Sequence, residues 1–303
     1  MRIAVTGQEG QIARSLIERS TRWQHEVMPV ARPSLDLKAD TETILRSLAA
    51  VSPDAIISAA AYTAVDRAEA EPNFAFAVNE CGARAVAEAA RSLNVPLIHL
   101  STDYVFDGSK AGPYVETDAT NPIDVYGASK LAGEKAVFDV HDNSAIVRTA
   151  WVYSPFSSNF AKTMLRLAAD REEVAVVTDQ RGNPTSALNI ADGLLRIAEN
   201  LASSEDMARR GIFHMTAQGE ASWADFAEAI YSASASLNGP TARVRRITIT
   251  EYPTAAQRPL NSCLDCSKLE TIHAVRLPEW RTSVPGVVCR LVREPNSVRA
   301  SQS

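Results

Sequence analysis

Residues 2–19, RIAVTGQEGQIARSLIER, carry the choice of fold. After Arg2 the run opens with three apolar residues, Ile3, Ala4 and Val5, as a buried strand requires. It then turns through Gly7 and Gly10. Beyond the turn, Ile12, Leu16 and Ile17 form a stripe at helical spacing. A strand that passes through a glycine turn into a helix is the first unit of a parallel α/β sheet. The turn spells G-x-x-G-x-x-A, ending on Ala13, rather than the full G-x-G-x-x-G. Its small residues let backbone N–H groups approach a diphosphate, whose charge the following helix N-terminus favours. Gly7, Gly10, Gln11 and Ile12 are therefore the expected phosphate cradle of a dinucleotide. A plain strand–helix turn is the alternative.

Outward from this unit the alternation continues. HEVMPVA (25–31), DAIISAAA (54–61), PLIHLST (96–102) and SAIVRTAWVY (144–153) read as further strands. TETILRSLAAV (41–51), an alanine-rich run over 73–94 and the segment 124–137 read as the helices between them. Near-continuous apolar strands indicate a sheet covered on both faces. After Tyr153 the rhythm loosens into helices at 159–169, 188–202 and 222–237, with strands at 173–180, 211–217 and 243–250. The expected fold class is α/β: a Rossmann-like, doubly wound parallel sheet with a smaller C-terminal α/β substrate lobe. The expected division is 1–153 for the dinucleotide domain, regaining segments around 174–201. Residues 154–292 form the second lobe and 293–303 a frayed tail.

The chain has 303 residues, 46% hydrophobic and 22% charged, with a net charge of −5. That balance speaks against nucleic acid as a partner, and no apolar run approaches the ~18 residues of a membrane span. The N-terminus enters a strand directly, without a secretory leader, and four cysteines fit a reducing compartment, so a cytoplasmic protein is expected. Cys263 and Cys266 form a lone C-x-x-C. With Cys289 or His273 it could bind zinc, but a closed site wants four well-spaced ligands, so no metal is assigned.

In open parallel sheets, ligands sit beyond the carboxyl ends of the strands. The second strand ends at VARPS, where Arg32 stands and the position for a ribose-binding acid holds Ala31. That pattern favours NADPH, with NADH as second choice; a surface arginine is the alternative. Ala59, Ala60 and Ala61 end the third strand and leave room for a flat cofactor, for tight helix packing, or for both. Ser101, Thr102 and Asp103 end the fourth, where a hydroxyl can hold a substrate oxygen or the residues simply close an Asx/ST turn. Trp151 ends the fifth and is placed either to cover a flat ligand or to fill core. Tyr126 and Lys130 stand one helical turn apart. They are either two ordinary surface residues or a proton donor with a tuning cation. In the second case Lys130 lowers the phenol's pKa and holds a cofactor ribose, Tyr126 protonates a ketone oxygen, and Thr102 orients it.

These residues resemble the extended short-chain dehydrogenase/reductases, and more narrowly the dTDP-4-dehydrorhamnose reductases. The shared stretches include GQEGQIA, PDAIISAAAYTAVDRAEAEP, STDYVFDG, NPIDVYGASKLAGEKAV, DQRGNPTSA and YPTAAQRPLNSCLD. Together they span roughly residues 2–280. The resemblance implies a Thr102/Tyr126/Lys130 catalytic set. It implies NAD(P)H-dependent reduction of the C4 ketone of dTDP-4-dehydro-L-rhamnose to dTDP-L-rhamnose, for rhamnose-containing polysaccharide synthesis. It also places Asn159 and Arg258, with Thr102, Asp103, Tyr126 and Trp151, at the nucleotide-sugar, and allows a homodimer. Three positions depart from the pattern. Cys263 replaces an arginine, Arg181 replaces an aromatic, and Ser15 stands where relatives often carry an acid, which leaves a metal-bridged dimer without support. Two other readings compete: reduction of another nucleotide-linked 4-keto-6-deoxy sugar, and a non-catalytic NADP-binding regulatory subunit like that of methionine adenosyltransferase.

Overall fold

A computed structural model describes residues 1–293. The tail expected from 293 onward lies outside the described residues, apart from Arg293, which ends the last helix. Five strands of the first half are β1 (Arg2–Thr6), β2 (Glu26–Val30), β3 (Ala55–Ser58), β4 (Leu97–Thr102) and β5 (Ser144–Thr149). Beyond them come β6 (Glu173–Val177), β7 (Gly211–His214) and β8 (Arg243–Ile247). The main sheet is parallel throughout and has the order β7, β5, β4, β3, β1, β2. Strand order reverses direction between β1 and β3, which opens a crevice at their carboxyl ends.

The helices are α1 (Gln11–Trp23), α2 (Thr41–Ala49), α3 (Gly82–Ser92), α4 (Val125–Phe138), α5 (Phe160–Asp170), α6 (Ala187–Ala202), α7 (Trp223–Ala235), α8 (Ser267–His273) and α9 (Trp280–Arg293). The alanine-rich run begins as a helix at Pro72–Phe76 and enters α3 through a π turn at Ala77–Cys81. Side chains of β1 alternate between two cores. Ile3 and Val5 join Leu16 of α1 and Leu194 of α6, whereas Ala4 joins Ile44 and Leu48 of α2 and Val86 of α3. Covering both faces explains why the strands read as unbroken apolar runs. Each fully buried leucine or isoleucine adds about 1.5–3 kcal/mol, which fixes the strand ends where ligands are expected.

The smaller lobe has its own core, in which Tyr153 packs with Ala161 and Met164 of α5, Phe226 and Ile230 of α7 and Trp280 of α9. Of the 174–201 segment, α6 returns to the main sheet and packs with α1. Strand β6 instead pairs with β8 in a separate two-stranded sheet. The strand that completes the main sheet is β7, on β5. Periodicity marked all three segments as strands but carried no information on which edge each would join.

Candidate active site

The glycine turn is built as a cradle. Gly7 adopts φ +89, open to glycine without strain, and its N–H donates to Val30 O at 2.8 Å. Thr6 Oγ1 accepts from both Ala59 N and Ala60 N at 3.0 Å, which clamps the end of β3 against the turn. Helix α1 starts after Gly10 with no side-chain cap. Its first N–H groups are therefore available to an anion. A Cβ at Gly10 would meet open space. Gln11 and Ile12 differ from simple ligand contacts. The Gln11 amide is engaged with Val152 O (3.2 Å) and Ser154 Oγ (2.8 Å), and the Ile12 side chain packs on the sheet core. What both can offer a diphosphate is backbone N–H. Ala59, Ala60 and Ala61 are half-buried beside Gly7, and Arg32 is exposed beyond β2.

Helix α4 positions the phenol and the ammonium. Asp124 caps it by accepting from Gly127 N at 2.7 Å. Gly127 is glycine because any Cβ there would collide with the Tyr104 carbonyl, so α4 presses directly on the turn that follows β4. The Tyr126 and Tyr104 rings meet edge-on, 5.6 Å between centroids. Thr102 lies beside the Tyr126 phenol. Its own Oγ1 donates to Asp103 Oδ1 at 2.9 Å and accepts from Tyr104 N at 3.2 Å.

The electrostatics correct one expectation. Burial pushes the Tyr126 phenol up, and Thr102 only partly offsets that rise; Lys130 does not pull it down. Lys130 turns instead beneath β4, 3% exposed, and donates to Leu100 O at 2.6 Å. Burial lowers its ammonium to about 8. One helical turn predicts a shared face, but the long lysine side chain follows the nearest buried acceptor. The phenol therefore stays protonated at neutral pH, as a proton donor must. Burial also pushes Asp103 up to about 7, and its Oδ2 has no partner among the described residues.

Trp151 stands at the end of β5 with its indole stacked on Trp223, centroids 3.6 Å apart and planes within 5°. Gly182 also lies against the indole. The ring is thus part of an aromatic stack first, not a free lid over a ligand. Its backbone has φ +47, unusual for a bulky residue and sustained by that packing. Asn159 caps α5, and both of its amide N–H groups are spent on Ser154 O (2.9 Å) and Phe156 O (3.1 Å). Arg258 donates to Asp66 Oδ2 at 2.7 Å, reaching from the 252–260 loop to the segment after β3. Arg258 also lies close enough to Tyr104 to influence its phenol.

The departures have local explanations. Ser15 is fully buried and bonds Gln11 O, so it presents nothing to a metal or a partner. Arg181 bridges Ala111 O (2.9 Å) and Glu220. Cys263 is buried with its thiol toward Glu220, and Cys266 faces Thr216. Burial pushes the Cys263 thiol up to about 12 and raises Cys266 as well. The two sulfurs serve different partners. Among the described residues, no three His, Cys, Asp or Glu side chains converge as a metal site.

Several supporting residues were not singled out from sequence. Glu134 and Arg148 form a buried two-pronged pair (2.8 and 2.6 Å), and Ser101 Oγ adds a third bond to Glu134 at 2.5 Å. Asn79, in the π turn, donates to Ser129 of α4 (2.9 Å) and to Tyr62 O (3.0 Å). His99 lies against Lys130. Glu134 had a signal: it stands one further turn along the Tyr126–Lys130 stripe.

Residues 1–293 match the family model described as the RmlD substrate binding domain. A dTDP-4-dehydrorhamnose reductase of Sinorhizobium fredii is 50% identical over 294 residues, covering 97% of this chain and 99% of the relative. The crystal structure of a dTDP-4-dehydrorhamnose reductase from Clostridium acetobutylicum superposes with TM-score 0.88 at 34% identity, covering 96% of this chain and 99% of that one. That of the Bacillus anthracis enzyme, in complex with NADP, superposes with TM-score 0.87 at 33% identity, covering 95% and 98%. Among the described residues, no helix is long and apolar enough to cross a membrane.

Proposed function

The chain belongs to the family of dTDP-4-dehydrorhamnose reductases, and from that membership we infer that it reduces the C4 ketone of dTDP-4-dehydro-L-rhamnose, yielding dTDP-L-rhamnose. The observation that carries the chemistry is Thr102 beside a buried, protonated Tyr126 at the carboxyl end of β4. The residues fit a nicotinamide dinucleotide. Gly7, Gly10 and the uncapped start of α1 present N–H groups to a diphosphate, and the alanines after β3 leave space beside them. Arg32 supplies a cation where a 2′-phosphate would lie, which favours NADPH while leaving NADH usable.

When bound, the dinucleotide supplies the hydride. The chain does the rest. Tyr126 Oη gives its proton to the ketone oxygen as charge develops there. Asp103, whose carboxyl is raised to about 7 by burial, donates to Thr102 Oγ1 when protonated, which frees the one threonine O–H to bond the same oxygen and fix its direction. Lys130, an ammonium held below the crevice, has one N–H left for the cofactor ribose. Arg258 matches the substrate's diphosphate, in exchange for Asp66. Trp151, steadied by Trp223, forms a wall for the sugar, and Asp103 holds Thr102 in place. Asn159 acts by holding the 154–159 loop. In this reading the sheet-bearing part carries the dinucleotide and the smaller lobe the nucleotide-sugar. Four free cysteines support a cytoplasmic setting. A homodimer completes the reading, and sedimentation velocity checks it through a species of two chains.

The test is to supply dTDP-4-dehydro-L-rhamnose with NADPH or NADH, follow nicotinamide absorbance, and identify the sugar by NMR. Formation of dTDP-L-rhamnose with faster NADPH turnover is expected. Absence of sugar reduction by protein that still binds NADPH would overturn the assignment and favour a regulatory role.

A further inference from the structure

Lys130 is not held by the backbone alone. Its Nζ lies 3.4 Å from His99 Nε2 and 2.6 Å from Leu100 O. His99 is 2% exposed, in the middle of β4, and its other ring nitrogen, Nδ1, lies 3.2 Å from Ser58 Oγ on β3. Ser58 and His99 are register partners across the two strands. A chain of polar atoms therefore runs from α4 under β4 to β3, beside the buried Glu134–Arg148 pair. A buried imidazole in such a place needs a reason, since apolar residues would fill the volume without its desolvation penalty.

Proton inventory fixes the roles. An ammonium is a donor only, so the nitrogen facing it must present a lone pair. His99 is neutral, because burial and the neighbouring Lys130 hold it well below its ordinary value. A neutral imidazole has one N–H, which must then sit on Nδ1 and point to Ser58 Oγ. Two of the three Lys130 N–H groups are thereby committed to β4. Tetrahedral geometry leaves the direction of the third no freedom.

We propose that His99 is a positioning residue for Lys130: its Nε2 lone pair and the Leu100 carbonyl anchor the ammonium so that one N–H alone faces the cofactor ribose. The ribose contact rests on the proposed function; the anchoring does not. Titratable and charged neighbours have to be accounted for. They are Tyr126 and Glu134 on α4, Asp103 beyond β4, and Arg148 on β5. Of these, Glu134 raises the Lys130 value, against the larger lowering by burial. Arg148 and Ser101 already occupy Glu134, which leaves His99 as the side chain that bonds the ammonium. A hydrogen bond to the charged form favours it. Losing the His99 bond therefore lowers the Lys130 pKa, and the ammonium is lost at lower pH.

The experiment has three arms. In the cofactor-free wild-type protein, ¹⁵N NMR of labelled histidine reads the His99 tautomer; a proton on Nδ1 with a bare Nε2 is expected, and a proton on Nε2 overturns the proposal. Next, NADPH dissociation constants are measured against pH for His99→Leu, which removes the acceptor, and His99→Gln, which keeps one near Nε2. His99→Leu is expected to weaken NADPH about tenfold, as loss of a hydrogen bond to a charged group implies. Its alkaline limb should also move to lower pH, with His99→Gln restoring most of both. Equal effects of the two variants, or an unmoved limb, overturn the proposal even if both fold. Finally, turnover of the dTDP-ketosugar by wild type is assayed alongside. Failure there with the tautomer and pH shift intact sinks the substrate assignment and leaves the anchoring standing; turnover with neither shift does the reverse.

Discussion

Glu134→Ala is the sharpest probe of what holds α4 to the sheet. Glu134 and Arg148 are 3% and 2% exposed at their side chains, and the guanidinium lies 5.1 Å from the Phe106 ring. Removing the carboxylate leaves a guanidinium in a dry layer, with Nη1 already unpartnered among the described residues, and takes the acceptor from Ser101. Breaking a buried pair from one side costs about 3–5 kcal/mol. Removing both charges by Glu134→Leu with Arg148→Met leaves no orphan charge, only the Ser101 hydroxyl without its acceptor, so that double variant should recover most of the loss. Urea unfolding followed by tryptophan fluorescence reads the difference. At a slope of roughly 3 kcal/mol/M, the single variant's midpoint should drop by about 1–1.7 M. A drop under roughly 0.3 M on that slope, or a double variant as damaged as the single, would refute the view that an uncompensated buried charge is the penalty.

Three further outcomes are expected. Tyr126→Phe removes only the proton donor, so turnover should fall about 10²–10⁴-fold while the NADPH dissociation constant stays within about twofold; stopped-flow reduction and fluorescence titration separate the two. Arg32→Ala should weaken NADPH about tenfold and leave NADH nearly unchanged, a charge-assisted contact being lost from one cofactor only; paired titrations decide, and equal losses reject the phosphate role. Asp103 has a folded pKa near 7 against an ordinary 3.8. The native state thus binds more protons than the unfolded one between those values, and stability falls as pH rises through that window. Asp103→Asn should flatten this slope in melting temperature between pH 4 and 7, and an unchanged slope would show that Asp103 is not its source.

The parts of the molecule legible in the sequence are those set by neighbours in the chain. The strand–turn–helix of 2–19, the covered strands and the placement of Tyr126 and Lys130 on one helix all follow from local spacing. The Asp124 cap, found in the structure, also has a local signal, since an aspartate precedes the helical run. Contacts between distant segments were hidden. Lys130 and its β4 partners are about thirty residues apart, and the partner of β7 lies in β5 rather than in the adjoining segment. The expected acidification of Tyr126 failed for the same reason. Helical spacing says which residues share a face, but only the surrounding sheet determines how dry that face is and where a long side chain finds an acceptor. Trp151 shows the complementary case: its strand end left covering a ligand and filling core both open, and the stack on Trp223 became visible only in the structure.

The bridge from Asp66 to Arg258 spans 192 positions of sequence yet is partly open to water, with side-chain exposures of 47% and 22%. Such a pair is worth no more than about 1 kcal/mol. A visiting polyanion could therefore claim the guanidinium at almost no thermodynamic expense. Dissolved salt would then act in opposite directions: it loosens the resident tie, and it also blunts the attraction for the newcomer. Affinity for the doubly charged ligand should consequently depend on ionic strength less steeply than its charge alone suggests.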